Sequence, residues 1–245
     1  MKNVLIIGAT STIAQDISKI YAQQGAKLLL VGRNEQILKI IQKDLLVRGA
    51  MQVDTIVFDL ADVVKLDFLV SQIHFQMGSI DIAISCHGIL GEQVLLEQNT
   101  SLFLKNMEIN FTSHAILGLA FSTKMKDTGG GSLAIISSVA GDRGKKSNFI
   151  YGSAMSAKSL FTDGLRHRMH GTGVYVTTIK LGFVDTKMTT HFKKGPLWAK
   201  SPFVAQSIVD AIHNRKGAVY IPSIWRWIML IVKSIPEFIF NRSNL

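Results

Sequence analysis

The strongest constraint on how this chain can fold is a regular alternation of short apolar runs with longer stretches of helical period. Residues 4–7, 27–31, 52–58, 80–85, 133–137, 174–179 and 219–221 read as strands. Most are apolar at nearly every position, as strands covered on both faces should be. Between them, residues 11–24, 34–48, 62–77, 101–126, 148–170 and 202–214 carry the spacing of helices. Strand and helix in turn, joined by right-handed crossovers, predict an α/β fold: a single doubly wound parallel sheet with helices on both faces. With 245 residues, 47% hydrophobic and 18% charged, the chain can bury one large core and is not disordered. Residues 1–222 are expected to form this domain, and residues 223–245 an apolar and cationic helical extension.

The only cysteine, Cys86, excludes a disulfide framework and a cysteine-based zinc cluster. It fits a reducing compartment, and no metal site is expected. No run of about 20 apolar residues predicts a membrane span, and Met1-Lys2 leads directly into a strand-like run without a signal-peptide layout. The expected location is cytoplasmic, with peripheral membrane contact left open by the tail.

Gly8-Ala-Thr-Ser-Thr-Ile-Ala14 lies between the first strand and the first helix. A pyrophosphate meets a helix N-terminus at that point of such a fold, where N–H groups are free and the dipole is positive. Gly8 permits a tight turn, Thr10, Ser11 and Thr12 offer hydroxyls, and Ala14 is small enough for close helix–sheet approach. By itself the segment reads equally as an N-capped helix after a strand. At the end of the second strand an NAD site places Asp or Glu; here Gly32 is followed by Arg33. A guanidinium grips a 2′-phosphate by forked, charge-assisted bonds, which favours NADP; a solvated arginine is the plainer alternative. Asp59, after the third strand, either accepts from an adenine amino group or caps the next helix.

In order and spacing, these residues resemble the short-chain dehydrogenase/reductase family, from Asn3 to about Thr190. Gly8–Ala14 is similar to its glycine-rich turn, with Thr12 and Ala14 where glycines are usual. Ser85-Cys86-His87-Gly88 resembles the turn after its fourth strand. Asn110 matches its helix asparagine. Tyr151 follows Ser138 by 13 residues, as the family's tyrosine follows its serine. Leu181-Gly182-Phe183-Val184-Asp185-Thr186 is similar to the segment that covers the nicotinamide, with Leu181 where the family has proline. The resemblance implies a Rossmann fold, a ketone or secondary alcohol as substrate, and hydride exchange with NADP(H). It also implies Tyr151 as acid/base, with Ser138 and Asn110 completing the catalytic set. Cofactor contacts are implied for Gly8, Thr10, Ser11, Thr12, Ile13, Arg33, Asp59, Leu60, His87, Gly88, Tyr151, Gly182, Val184 and Thr186. A homo-oligomer is expected.

A narrower similarity runs through His87-Gly88-Ile-Leu-Gly91, Gly164-Leu-Arg166, Gly182-Phe-Val-Asp-Thr186 and Trp225-Arg226-Trp227 with Ile235-Pro236-Glu237. It resembles the branch containing reductases of polyprenyl-phosphate-linked keto-pentoses, and so implies a lipid-linked keto-sugar.

One departure bears directly on the chemistry. A free tyrosine titrates near ~10. The family lowers that value with a lysine four residues later, on the same helix face. Met155 stands there. Lys158 returns to the same face, but ~4.5 Å further along the axis. The alternative to a working reductase is therefore a dinucleotide-binding protein with little or no turnover, serving as a sensor or as the partner of an active subunit. His87, where the family has a small residue, either lines the substrate pocket or bonds neighbouring backbone.

The net charge is +10, and residues 187–245 hold nine basic and two acidic residues, a net +7. In the tail, Ile224, Ile228, Ile231, Ile235 and Phe238 form one stripe on a helical wheel, opposite Arg226, Lys233 and Glu237. Trp225 and Trp227 stand at its start, and Pro236 should kink or end the helix. This pattern fits an interfacial membrane helix, or equally a helix packed on its own domain or on a partner subunit. No recognition motif accompanies the charge, so nucleic acid is not an expected partner.

Overall fold

The computed structural model describes residues 1–243; the last two residues of the expected tail lie outside the described residues. In chain order the elements are β1 (Asn3–Ile7), α1 (Thr12–Gln23), β2 (Lys27–Gly32), α2 (Glu35–Val47), β3 (Gln52–Val57), α3 (Leu66–Met77) and β4 (Ile82–Ser85). Then follow α4 (Gln93–Gln98), α5 (Thr100–Met107), a π-helical turn (Glu108–Thr112), α6 (Ser113–Asp127), β5 (Gly131–Ser138), α7 (Phe149–Met169) and β6 (Val174–Leu181). The chain ends with β7 (Val184–Asp185), β8 (Ala199–Lys200), α8 (Ser201–His213), β9 (Ala218–Ile221), α9 (Ile224–Ser234) and α10 (Glu237–Phe240).

Seven strands form one parallel sheet in the order β3-β2-β1-β4-β5-β6-β9. β1 lies between β2 and β4, with Ile7 in register with Val31 on one side and Ser85 on the other. Along β1 and β2, Val4, Ile6, Leu28 and Leu30 face a core shared with α1, α2 and α8. Leu5, Ile7, Leu29 and Val31 face a second core shared with α3, α6 and α7. This two-sided burial explains why the strands read as continuous apolar runs. All seven expected strands and five of the six expected long helices are present.

Three features were not anticipated. α4 is a short helix in a segment without clear period. The helix expected over residues 101–126 is broken by the π-helical turn, an insertion common at functional sites. β7 and β8 pair as a small separate sheet, drawing together the ends of the loop between them.

The tail is anchored on the domain. Trp225, Met229 and Val232, at helical spacing, are buried with Val139, and Tyr220 packs against them. Arg143, in the loop after β5, donates to three carbonyls at the end of α9: Val232 (2.6 Å), Lys233 (3.2 Å) and Ile235 (2.7 Å). These are carbonyls that a helix end leaves without intrahelical partners. The same guanidinium lies 3.8 Å from the centroid of Phe240. The tail therefore has two apolar sides. The expected isoleucine stripe stays largely outside, with Ile231 67% exposed, whereas Trp225, expected beside Trp227 at an interface, is turned inward. Pro236 separates α9 from α10. Among the described residues no helix is long and apolar enough to cross a membrane.

Met229→Ala should therefore cost about 2–5 kcal/mol, the range for emptying a buried methionine site. Ile231→Ala should stay within about 0.5 kcal/mol, as for an exposed position. Chemical denaturation of the two variants checks which side of α9 is packed.

Candidate active site

The crossovers from β1 and β4 leave in opposite directions. At that switch point, outside the carboxyl ends of the strands, a parallel sheet of this kind opens a crevice. A cavity of about 730 Å³ lies there, lined by residues that follow each of β1 to β6. Gly8 turns the chain out of β1 with φ +79°, and a Cβ on it would stand 2.7 Å from the backbone nitrogen of His87. Only glycine serves there, because both the backbone angle and the close approach exclude a side chain. Ser11 caps α1 by accepting from the Ala14 N–H at 3.2 Å. Thr10, Ser11, Thr12 and Ile13 line the cavity around the start of that helix. Both readings of this segment hold together: it is an N-capped helix, and its first turn faces a cavity.

Arg33 and Asp59–Leu60, after β2 and β3, line the same end. Arg33 is exposed, and among the described residues no carboxylate pairs with it. Asp59 accepts from the Ala61 N–H at 3.1 Å, a local turn bond, while also facing the cavity.

Gly88 and His87 follow β4. His87 lines the cavity, and its ring bonds side chains and not neighbouring backbone: its Nε2 lies 2.7 Å from Ser113 Oγ, and its ring stacks on His114. Asn110 sits in the π-helical turn, fully buried. Its amide accepts from the Ile89 N–H at 3.0 Å and donates to the Ile89 carbonyl at 2.8 Å and to Asn106 Oδ1 at 2.9 Å. Both N–H donors of its side chain are thus committed, one to the loop after β4 and one to Asn106 of α5.

Ser138 ends β5 and Tyr151 lies in the first turn of α7. Ser138 Oγ accepts from the Ala140 N–H at 3.1 Å and donates to the Leu181 carbonyl at 3.3 Å. Burial pushes the Tyr151 hydroxyl up to about 12, opposed by its hydrogen bond with Ser138. At neutral pH this phenol keeps its proton. Met155, one turn on, is buried and lines the cavity, as does Lys158, one turn further.

Gly182, Val184 and Thr186 close the far side. Gly182 is pinned under the tail: a Cβ on it would overlap the indole of Trp225. Phe183 stacks on Trp198 with centroids 5.2 Å apart and meets Trp225 edge-on at 4.8 Å. The cavity therefore joins every catalytic and cofactor residue expected from the sequence. Sequence reasoning missed Trp225 and Trp198 as lining residues, and His114 altogether. For His114 a signal existed: it lies four residues beyond Asn110, one turn along the same helical run.

The chain belongs to the short chain dehydrogenase family, a class of oxidoreductases, whose pattern it matches over residues 2–196. It is 31% identical over 239 residues to an uncharacterized oxidoreductase of Mycobacterium tuberculosis, covering 98% of this chain and 96% of that one. An uncharacterized oxidoreductase of Streptomyces coelicolor is 27% identical over 250 residues, covering 98% and 95%. In fold, the chain is similar to actinorhodin polyketide ketoreductase solved with NADPH, with TM-score 0.80, 21% identity, and 90% and 95% of the two chains covered.

Because the indole of Trp225 lies against Gly182, Gly182→Ala should expel it. We expect a red-shifted tryptophan emission and a loss of about 1–3 kcal/mol, the scale of overpacking; fluorescence-detected denaturation reads both.

Proposed function

We propose that this oxidoreductase reduces a ketone with NADPH, and that its substrate is a lipid-linked keto-sugar met at a membrane surface. The observation that carries the reading is the arrangement along one cavity: Ser138 and Tyr151 together at one end, and Arg33, unpaired by any described carboxylate, at the other. The cavity suits a dinucleotide. Gly8 leaves bare backbone beside the first turn of α1, whose free N–H groups and positive dipole end suit a pyrophosphate. Arg33 supplies a fork for a 2′-phosphate.

When bound, the reduced nicotinamide supplies the hydride. Ser138 holds the carbonyl oxygen, and the Tyr151 hydroxyl gives it a proton. A phenol held near 12 suits this direction, because it is protonated across the physiological range. Asn110 keeps the loop after β4 in place through both Ile89 backbone groups. Phe183, Trp198 and Trp225 give the substrate end an aromatic wall, and Lys145 and Lys193 add positive charge to the lining of the same cavity. Apolar wall and cations together favour a substrate with a hydrophobic part and an anionic link.

Exposed Ile224, Trp227, Ile231 and Phe238, beside Arg226 and Lys233, support contact with an anionic bilayer. Exposed Leu104, Leu119 and Leu160, on the adjacent helices α5, α6 and α7, support a homo-oligomer.

The buried Met155, in the place of the family's lysine, favours a second reading: a dinucleotide-binding protein with little turnover, a sensor or the partner of an active subunit. NADPH binding and NADPH oxidation, measured side by side over a carbonyl panel, separate the two. Binding with oxidation supports the reductase; binding alone supports the second reading.

Three outcomes follow from the reductase. Arg33→Ala should weaken NADPH binding by roughly 1.5–3 kcal/mol, the scale of a charge-assisted bond, and leave NADH nearly unchanged; equal losses defeat the NADP assignment. Tyr151→Phe should abolish turnover, and wild-type alcohol oxidation should climb with pH through 8 to 10, because the phenolate is scarce below about 12. Trp227→Ser with Ile231→Ser should reduce salt-sensitive binding to anionic vesicles while leaving NADPH affinity intact. Truncation after Ser223 is a poorer test, because it removes Trp225 from the cavity wall.

A further inference from the structure

A cluster of buried ionisable groups adjoins the cavity and takes no part in the scheme above. Lys158 is 1% exposed. No carboxylate pairs with it among the described residues, and burial drives its amine down from the ordinary lysine range to about 7. Its Nζ lies 3.3 Å from His114 Nε2. His114 stacks on His87, with centroids 3.7 Å apart and planes 6° from parallel. Burial, aided by Lys158, holds both imidazoles well below the usual histidine range. From the end of β4, Cys86 also faces the amine, its thiol pushed up to about 12. Tyr151, on the same helix, is likewise neutral near pH 7. Among these described groups, only Lys158 changes charge near neutral pH.

The hydrogen bonds allow that change without moving a heavy atom. Ser113 donates to the Ile109 carbonyl at 3.0 Å, so its oxygen accepts from His87 Nε2–H and leaves His87 Nδ1 bare. His114 Nε2 stands between Lys158 Nζ and the His87 carbonyl, 3.0 Å away. Ser85 Oγ stands between His114 Nδ1 (2.9 Å) and His87 Nδ1 (3.4 Å). With Lys158 neutral, His114 carries its proton on Nε2 and donates to the His87 carbonyl, while Ser85 donates to His114 Nδ1. With Lys158 protonated, the ammonium donates to His114 Nε2. His114 then carries its proton on Nδ1 and donates to Ser85, which turns its hydroxyl to His87. The two arrangements use the same atoms in the same places.

We propose that Lys158 is the charge-compensating residue of the nicotinamide end, neutral beside the oxidised cationic ring and protonated beside the reduced neutral one, with the His114 tautomer switching to match. This rests on the dinucleotide reading above. Lys158 and Met155 line the cavity that also holds Tyr151 and Ser138. Two positive charges enclosed there repel at low effective dielectric, so the oxidised cofactor and the lysine's proton compete. The reduced cofactor has no such competition.

The test compares dissociation constants of NADP⁺ and NADPH for the whole protein between pH 8 and pH 6. The 2′-phosphate titrates in both, so the ratio of the two constants isolates the ring. For a competing proton on a group near 7, the ratio of the NADP⁺ to the NADPH constant should rise about tenfold over that range as the pH falls. Lys158→Met, which exchanges a buried amine for an apolar chain, should bind both forms with a level ratio. In the free wild-type protein, ¹⁵N spectra of histidine should show the protonated nitrogen of His114 exchanging over the same interval. Calorimetry of NADP⁺ and of NADPH binding at pH 6.5, each in two buffers of different ionisation enthalpy, needs no variant; NADP⁺ should release roughly three-quarters of a proton more than NADPH. A level wild-type ratio, a slope that survives in Lys158→Met, or equal proton release by the two forms overturns the proposal. Binding of neither dinucleotide overturns the cofactor reading together with it, whereas binding of both with a pH-independent ratio overturns this inference alone.

Discussion

Burial of both faces of the sheet governs everything else in this molecule. Leu5 and Ile6, adjacent in β1, point into opposite cores, and the same alternation holds in β2. Such a sheet has no wet face on which to place polar chemistry. Its carboxyl edge is the place left, and β1 and β4 part there because their crossovers run to opposite sides. The close approach of Gly8 to the His87 backbone is the local expression of that geometry. It brings the first βα turn and the turn after β4 into contact, so one cavity touches residues far apart in sequence.

The site is held by polar groups whose bonding capacity is largely spent on structure. Asn110 fixes the loop after β4, and Ser138 fixes the turn after β5 while contacting Tyr151. Against this scaffold, the exchange of the family's lysine for Met155 removes a cation beside the tyrosine. The buried amine that remains, Lys158, is partnered by an imidazole and by no described carboxylate, and burial lowers it against the opposing effect of Cys86. The electrostatics of the cavity thus differ from those of the family pattern although its shape-forming residues are retained.

The tail belongs to this arrangement. Arg143 ties the end of α9 to the loop that follows Ser138, and Trp225 lies over Gly182. Lys180 and Tyr220 both meet Asp142, at 2.6 and 2.7 Å, bracing that loop against β6 and β9. α9 is consequently a wall of the cavity on its inner side, through Trp225, and an apolar, cationic surface on its outer side.

The fold class and the turns that line the cavity were legible in the sequence. They depend on local rules: apolar runs where two faces are buried, glycine where φ is positive, a serine cap where a helix begins. The 13-residue spacing of Ser138 and Tyr151 was equally legible, because a strand end and a helix start separated by one loop meet at the same edge. What the sequence could not show was which side of α9 faces inward. Both sides carry large apolar residues, and the choice was made by the space over Gly182, which lacks a Cβ. Nor could it show that Lys158, His114 and His87 meet. They sit on α7, on α6 and beyond β4, and no periodicity links them; only the packing of two helices against the end of one strand brings their nitrogens within hydrogen-bonding distance of shared partners.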